Sequence, residues 1–136
     1  MWWETKKIDK QYFRIIDANL NRAREGLRVI EDAARFVVGK DVLYRKARRM
    51  RHTLDKITRA IYPELLKERN AFSDSGRRIS EGARADLDAV LRANFRRVEE
   101  SLRVLEEFCR LILPGTGRVC KALRYRAYTM EKDFLG

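Results

Sequence analysis

The sequence predicts an all-α protein: a four-helix bundle made of two duplicated helical hairpins related by a pseudo-two-fold axis. Two observations lead there. Apolar residues recur at helical spacing through most of the chain. The stretch Asp17 to Val38, DANLNRAREGLRVIEDAARFVV, also returns 75 positions later, without a gap, as RANFRRVEESLRVLEEFCRLIL, Arg92 to Leu113. The offset pairs Ala18 with Ala93, Asn19 with Asn94, Arg22 with Arg97, Glu25 with Glu100, Glu31 with Glu106 and Arg35 with Arg110. It runs on into Lys46, Ala47, Arg49 and Arg51, which meet Lys121, Ala122, Arg124 and Arg126, so the repeated unit is longer than one helix. Hairpins with one apolar stripe each bury it most simply against one another.

The first helix is expected from about Lys10 to Val38, with Ile16, Leu20, Ala23, Leu27, Ile30, Ala34 and Val38 on one stripe. Gly39 is its expected C-cap and Asp41 the N-cap of a second, Arg- and Lys-rich helix, Val42 to Ile61. Tyr62-Pro63 breaks that helix before a short turn, Glu64 to Glu68, and closes the first repeat at about 10–68. NAFSDSGRR, Asn70 to Arg78, has the Ser, Asp and Gly of a loop and forms the heart of a linker at about 69–79 that has no echo in the repeat. The third helix is expected from Ser80 as N-cap to Leu113, its stripe of Leu91, Phe95, Val98, Leu102, Leu105, Cys109 and Leu113 matching the first. Pro114-Gly115-Thr116-Gly117 ends it, and Thr116 caps a fourth helix to about Asp133, giving a second repeat at about 80–134.

A chain of 136 residues is the size of one ordinary domain. Hydrophobic residues at 45% and charged residues at 38%, with two prolines and seven glycines, suit a charged-surfaced helical protein and argue against disorder. A net charge of +11 draws polyanions, whether nucleic acid, an anionic membrane surface or phosphorylated small molecules. Arginine outnumbers lysine, and its planar fork suits bidentate phosphate or carboxylate recognition. Most arginines on long helices are nonetheless solvated or paired with Glu and Asp at i,i+4.

Cys109 and Cys120 lack ligand spacing and read as reduced thiols of a cytoplasmic protein. No apolar run is long enough to span a membrane. Trp2 and Trp3 read as packing or contact residues, and His52 as a surface or packing histidine. A homo-oligomer is compatible with these features.

The polar residues of the repeat carry the chemistry. Asn19 falls at the edge of the apolar stripe, Arg22 one turn on, and Glu25 borders the same arc; Asn94, Arg97 and Glu100 repeat the trio. Polar groups so placed need partners. One reading is structural, with Arg22 paired to Glu100 and Arg97 to Glu25 across the pseudo-two-fold. The other is a polar cleft between the first and third helices, where Arg and Asn hold an anionic ligand and Glu its metal. Gly26 and Ser101, small residues at equivalent positions, permit close helix approach or leave room for a ligand. Asp74-Ser75-Gly76 is a turn or a loop that carries a metal-binding carboxylate.

IIDANLNRAREGLRVIEDAARFV, SDSG, VLRANFRRVEESLRVLEE and ALRYRAYTMEKD together resemble one family, over about Arg14 to Asp133. It is the small helical domain found N-terminal to thiamine-phosphate synthase, assigned as a hydroxymethylpyrimidine-phosphate kinase. The resemblance implies transfer of a phosphoryl group from ATP, with Mg²⁺, to 4-amino-5-hydroxymethyl-2-methylpyrimidine phosphate. It also implies thiamine-phosphate synthase as a partner.

Carried over by position, Asn19, Arg22, Glu25 and Arg28 match the family's first motif, Asn94, Arg97, Glu100 and Arg103 its second, and Asp74 and Gly76 its linker. On that basis Arg22 and Arg97 are the expected catalytic, phosphate-holding residues. Asn19 and Asn94 are expected to read the pyrimidine or a phosphate oxygen, and Glu25, Glu100 or Asp74 to position Mg²⁺. Arg51, Arg124 and Arg126 are further phosphate candidates. In the family an acidic residue often follows the arginine before the linker, whereas Arg69 is followed by Asn70 here.

Two other classes stand beside the enzyme. A basic nucleic-acid-binding module would display arginines on one outer face. A non-catalytic scaffold for a synthase would expose an apolar patch and have no ligand pocket.

Overall fold

The computed structural model describes the backbone of residues 5–136 and the side chains of residues 10–136; Trp2 and Trp3 lie outside the described residues. Five α-helices form, and among the described residues there is no strand. α1 spans Thr5–Asp32 and runs on through a π-helical turn, Ala33–Val38, that ends at Gly39 in the left-handed conformation, φ 73°. α2 spans Asp41–Thr58 and tightens into a 3₁₀ turn, Arg59–Ile61. α3 is short, Tyr62–Glu68, with Pro63 in its first turn, where a missing N–H costs nothing. α4 spans Leu87–Ile112 and α5 Thr116–Leu135.

Three expected boundaries move. α4 begins seven residues after Ser80, at Leu87, because Asp86 is the working N-cap: its carboxylate accepts the Ala89 N–H at 2.8 Å. The intervening stretch from Ser80 to Ala85 is exposed throughout, so a helix there would bury nothing. Asp41 and Thr116 are first helical residues rather than N-caps, those places being taken by Lys40 and Gly115 without side-chain caps.

α1 lies against α4 along most of its length, α2 packs on α1, α5 packs on α4, and α2 and α5 touch little. The α1–α4 contact obeys the repeat. Ile16, Leu20, Ala23, Leu27, Ile30 and Ala34 are buried, and so are their counterparts Leu91, Phe95, Val98, Leu102, Leu105 and Cys109. Gly26 is the point of closest approach: a Cβ there would stand 2.7 Å from Val98 Cγ2 and 3.2 Å from the Asn94 carbonyl oxygen.

The outer helices keep the symmetry in a shifted register. α2 buries Leu43, Ala47, Met50 and Leu54, and the residues 75 places on, Arg118, Ala122, Tyr125 and Thr129, are exposed; the buried partners are instead Thr116, Cys120, Leu123 and Ala127, two places earlier. The two hairpins also end their inner helices differently: α1 closes in the π turn, whereas α4 ends in ordinary geometry, Leu113 N–H on Cys109 O at 2.7 Å, just before Pro114.

Two carboxylates are taken into the core and matched. Glu31, 0% exposed, accepts Arg51 Nε at 2.6 Å and Nη2 at 3.1 Å. Its repeat counterpart Glu106, 1% exposed, accepts Arg124 Nη2 at 2.9 Å and Nε at 3.2 Å, and Arg110 Nη2 at 3.1 Å. Bidentate pairing of this kind offsets the cost of taking both charges out of water. Cys109 and Cys120 are buried free thiols. No helix among the described residues is long and apolar enough to cross a membrane.

Two predictions follow from this packing. Gly26→Leu should force α1 and α4 apart and lower stability by about 1–3 kcal/mol, an overpacking cost, read as a fall in denaturant midpoint with the helical CD spectrum retained. Glu99 is buried with its Oε2 unpartnered, and desolvation, then the neighbouring Glu131 carboxylate, push its pKa up from 4.5 to about 7. The folded state thus holds a proton that the unfolded chain releases near pH 4.5, so this contribution to stability is full below that pH and is lost as pH rises toward 7. Glu99→Gln should match the parent Tm at pH 4 and exceed it at pH 8; equal Tm values at both would show that Glu99 is not the group responsible.

Candidate functional site

Residues 69–86, between α3 and α4, cross the outer face of the α1–α4 pair instead of following either helix. The bidentate contact that ties this linker to α1 is a clasp at its start. Arg69 donates from Nε to Asp17 Oδ2 at 2.8 Å and from Nη2 to Asp17 Oδ1 at 2.7 Å, and Asp17 is buried on α1. The hydrogen bonds to Asp17 hold the Arg69 pKa above its ordinary value. Further on, Asp74 Oδ1 accepts the Gly76 N–H at 2.8 Å, an Asx turn that starts the 3₁₀ turn Ser75–Arg78. Asn70 Oδ1 accepts the Ser73 N–H at 3.1 Å.

The linker and the two helices enclose a cleft of about 590 Å³. Asn19 and Arg22 enter it from α1, Arg97, Glu100 and Ser101 from α4, and Asp74, Gly76, Arg77 and Glu81 from the linker. A second hollow, about 610 Å³, lies on the other side of Arg22 and is walled by Arg14, Asn21, Arg69 and Asn70. Asn19, Arg22 and Asp74 border both hollows.

Asn19 is held ready by its own helix, Nδ2 donating to Ile15 O at 2.9 Å, and its Oδ1 accepts Arg22 Nη1 at 3.3 Å. Arg97 Nη1 stands 3.5 Å from Glu81 Oε1. Neither Arg22–Glu100 nor Arg97–Glu25 is an ion pair among the described residues, so the cross-paired network expected on structural grounds does not form, and both guanidinium groups face the cleft. The reason is geometric: Ser101 and Gly26 keep the helices close, and the long side chains splay outward toward the linker.

Six of the eleven residues singled out from sequence line this cleft: Asn19, Arg22, Asp74, Gly76, Arg97 and Glu100. Five do not. Glu25 is exposed elsewhere on α1, and Asn94, whose Nδ2 donates to Val90 O at 2.8 Å just as Asn19 does to Ile15 O, lies beside Gly26 and away from the linker that roofs the cleft. Arg51 is committed to Glu31, whose hydrogen bond raises the pKa of the guanidinium, Arg124 is buried against Glu106, and Arg126 lies in a groove between α2 and α5. Sequence reading did not find Arg69, Asp17, Arg77 or Glu81. Arg77 and Glu81 sit in the linker, which has no internal repeat to flag them, and Asp17 meets Arg69 across 52 residues that follow no period.

The decisive comparison is with protein-family models: the ThiD2 family model matches residues 14–133. The chain belongs to the ThiD2 family. Curated relatives named thiamine-phosphate synthase extend the match. One from Nostoc punctiforme is 41% identical over 136 residues, covering 98% of this chain and 38% of the relative. Another from Synechocystis is 43% identical over 126 residues, covering 90% and 36%, and one from Thermosynechococcus vestitus is 44% identical over 122 residues, covering 88% and 34%. The chain thus spans a little over a third of the length of these relatives. No solved structure matches it.

Arg69→Ala removes the clasp and leaves the Asp17 carboxylate buried without its partner. The linker should detach, seen as faster limited proteolysis between residues 70 and 86, with a stability loss of about 1–3 kcal/mol for the orphaned acceptor. Unchanged cleavage would mean that other contacts hold the linker.

Proposed function

We propose that the chain is a phosphotransferase of thiamine biosynthesis, which phosphorylates hydroxymethylpyrimidine phosphate to the diphosphate with ATP and Mg²⁺ in the α1–α4–linker cleft. The observation that carries this reading is the pair of adjacent hollows meeting at Asn19, Arg22 and Asp74. Transfer between two phosphorylated molecules needs a binding space for each and a shared border where charge is neutralised. Arg22 stands on that border, with Arg97 and Arg77 on one side and Arg14 and Arg69 on the other. Membership of the ThiD2 family and the thiamine-phosphate synthase name of the relatives support the pathway.

The reaction asks little else of the protein. An oxygen of the acceptor phosphate attacks the terminal phosphorus of ATP, a new P–O bond forms, the bond to ADP breaks, and ADP leaves with its electron pair. The attacking oxygen is already anionic at neutral pH, so no general base is required, and positioning with charge neutralisation supplies the catalysis. Arg22 and Arg97 hold phosphate oxygens, Asn19 offers its amide to the pyrimidine or a phosphate, and Ile79 and Val104 form the apolar wall for the ring.

The donor set fits Mg²⁺. Asp74 and Glu100 present carboxylate oxygens to the cleft, and Mg²⁺ is commonly held by one or two carboxylates together with substrate phosphates. No group of three or more His, Cys, Asp or Glu is placed to hold a metal among the described residues. Bound there, the metal would neutralise charge on the transferring group.

The test is a coupled assay: purified protein, ATP-Mg²⁺ and hydroxymethylpyrimidine phosphate, with thiamine-phosphate synthase and thiazole phosphate added, scoring thiamine phosphate. Arg97→Ala and Arg22→Ala should each lower kcat/KM about 100-fold or more, as loss of a transition-state charge partner does, with helical CD intact. No product from the parent protein, where a known kinase succeeds, would leave a non-catalytic domain associated with a synthase as the better reading.

A further inference from the structure

The weak contact between α2 and α5 leaves an open groove of about 480 Å³ that shares no lining residue with the two hollows at the linker. Lys46 and Arg49 reach it from α2 and Arg126 from α5, and no carboxylate lines it. Among the described residues none of these three cations forms a salt bridge, and the hydrogen bond Arg49 makes goes to a backbone carbonyl, Nε to Arg45 O at 3.5 Å. Its floor is apolar, made by the buried Met50 and Met130. Tyr125 forms one wall, oriented by the Arg124 guanidinium 5.1 Å from its ring centroid and by Tyr128 edge-on at 5.9 Å. Thr129 adds a hydroxyl that donates to Tyr125 O at 3.2 Å.

Three like charges converging on a low-dielectric floor repel one another and focus a positive field into a space the size of a nucleotide. We propose that the α2–α5 groove is a second binding site, separate from the catalytic cleft, for an oligophosphate anion, either free or as the phosphate tail of a nucleotide. Lys46, Arg49 and Arg126 hold the phosphates, and a nucleotide would set its base against Tyr125 and the methionine floor. The bounded groove, floored by methionine, favours a small anion over a nucleic-acid backbone, which needs a continuous basic track.

The test uses the full chain carrying Arg22→Ala and Arg97→Ala, so that binding at the linker cleft is weakened and failure of the kinase reading leaves the experiment intact. Tripolyphosphate, ATP and adenosine are titrated by calorimetry at about 50 mM and 200 mM salt. One equivalent of tripolyphosphate should bind, and Lys46→Ala, Arg49→Ala and Arg126→Ala, all at exposed positions that leave the core intact, should each weaken it about fivefold or more. ATP binding tighter than tripolyphosphate, and losing that advantage in Tyr125→Ala, assigns a nucleotide; equal affinities assign the oligophosphate alone. No binding, binding indifferent to the three substitutions, or tighter capture of a 20-mer duplex lost in the same variants would each overturn the proposal, the last in favour of nucleic acid.

Discussion

The close approach of α1 and α4 is the contact on which the rest of the molecule hangs. Gly26 leaves no room for a side chain between α1 and Val98 of α4. Its counterpart Ser101 is buried but satisfies its hydroxyl on its own helix, donating to Arg97 O at 2.7 Å with Val98 O at 3.0 Å, so it makes no polar demand across the interface. With small residues at both places the two helices pack tightly enough that Arg22 and Arg97 have nowhere to go but outward. The linker then lies over them, and the cleft follows from helix spacing as much as from any one polar residue.

A second layer of organisation is electrostatic. Glu31 and Glu106 are taken fully into the core, and each is met by an arginine from the outer helix of its hairpin. Such pairs tie α2 to α1 and α5 to α4 with directional contacts where apolar packing alone would let the helices slide. Removing one partner leaves a buried charge, a loss of about 3–5 kcal/mol, so these pairs fix the register of the outer helices more firmly than they add net stability. Nothing comparable joins α2 to α5, and that absence of a tie is why their facing cations line an open groove.

The inner half of the architecture was legible because a helix declares itself through a period. The apolar residues of the stripe are buried alike at positions 75 apart along α1 and α4, from Ile16 and Leu91 to Ala34 and Cys109. Asn19, Arg22, Arg97 and Glu100 could be picked out for the same reason: they are polar residues at fixed phase beside an apolar stripe. Glu25 and Asn94 share that phase and still miss the cleft, because the linker covers one end of the interface and breaks the equivalence of the two halves. The start of α4 was misplaced by a local competition, Asp86 against Ser80, that only the hydrogen bond to Ala89 resolves.

By itself, then, the sequence determined an all-helical bundle, the pairing of its two inner helices, and the residues that border the polar side of their contact, since each depends on short-range periodicity and on a repeat that can be counted. Tertiary structure alone decided the rest. α2 and α5 meet the core two residues out of the register of the inner helices, which sends Arg51 to Glu31 and Arg124 to Glu106 and leaves Arg126 in the outer groove. The Arg69–Asp17 clasp joins residues 52 apart and places the linker over one face. Contacts of that kind depend on the accumulated geometry of everything between them, and no local pattern of residue types encodes that sum.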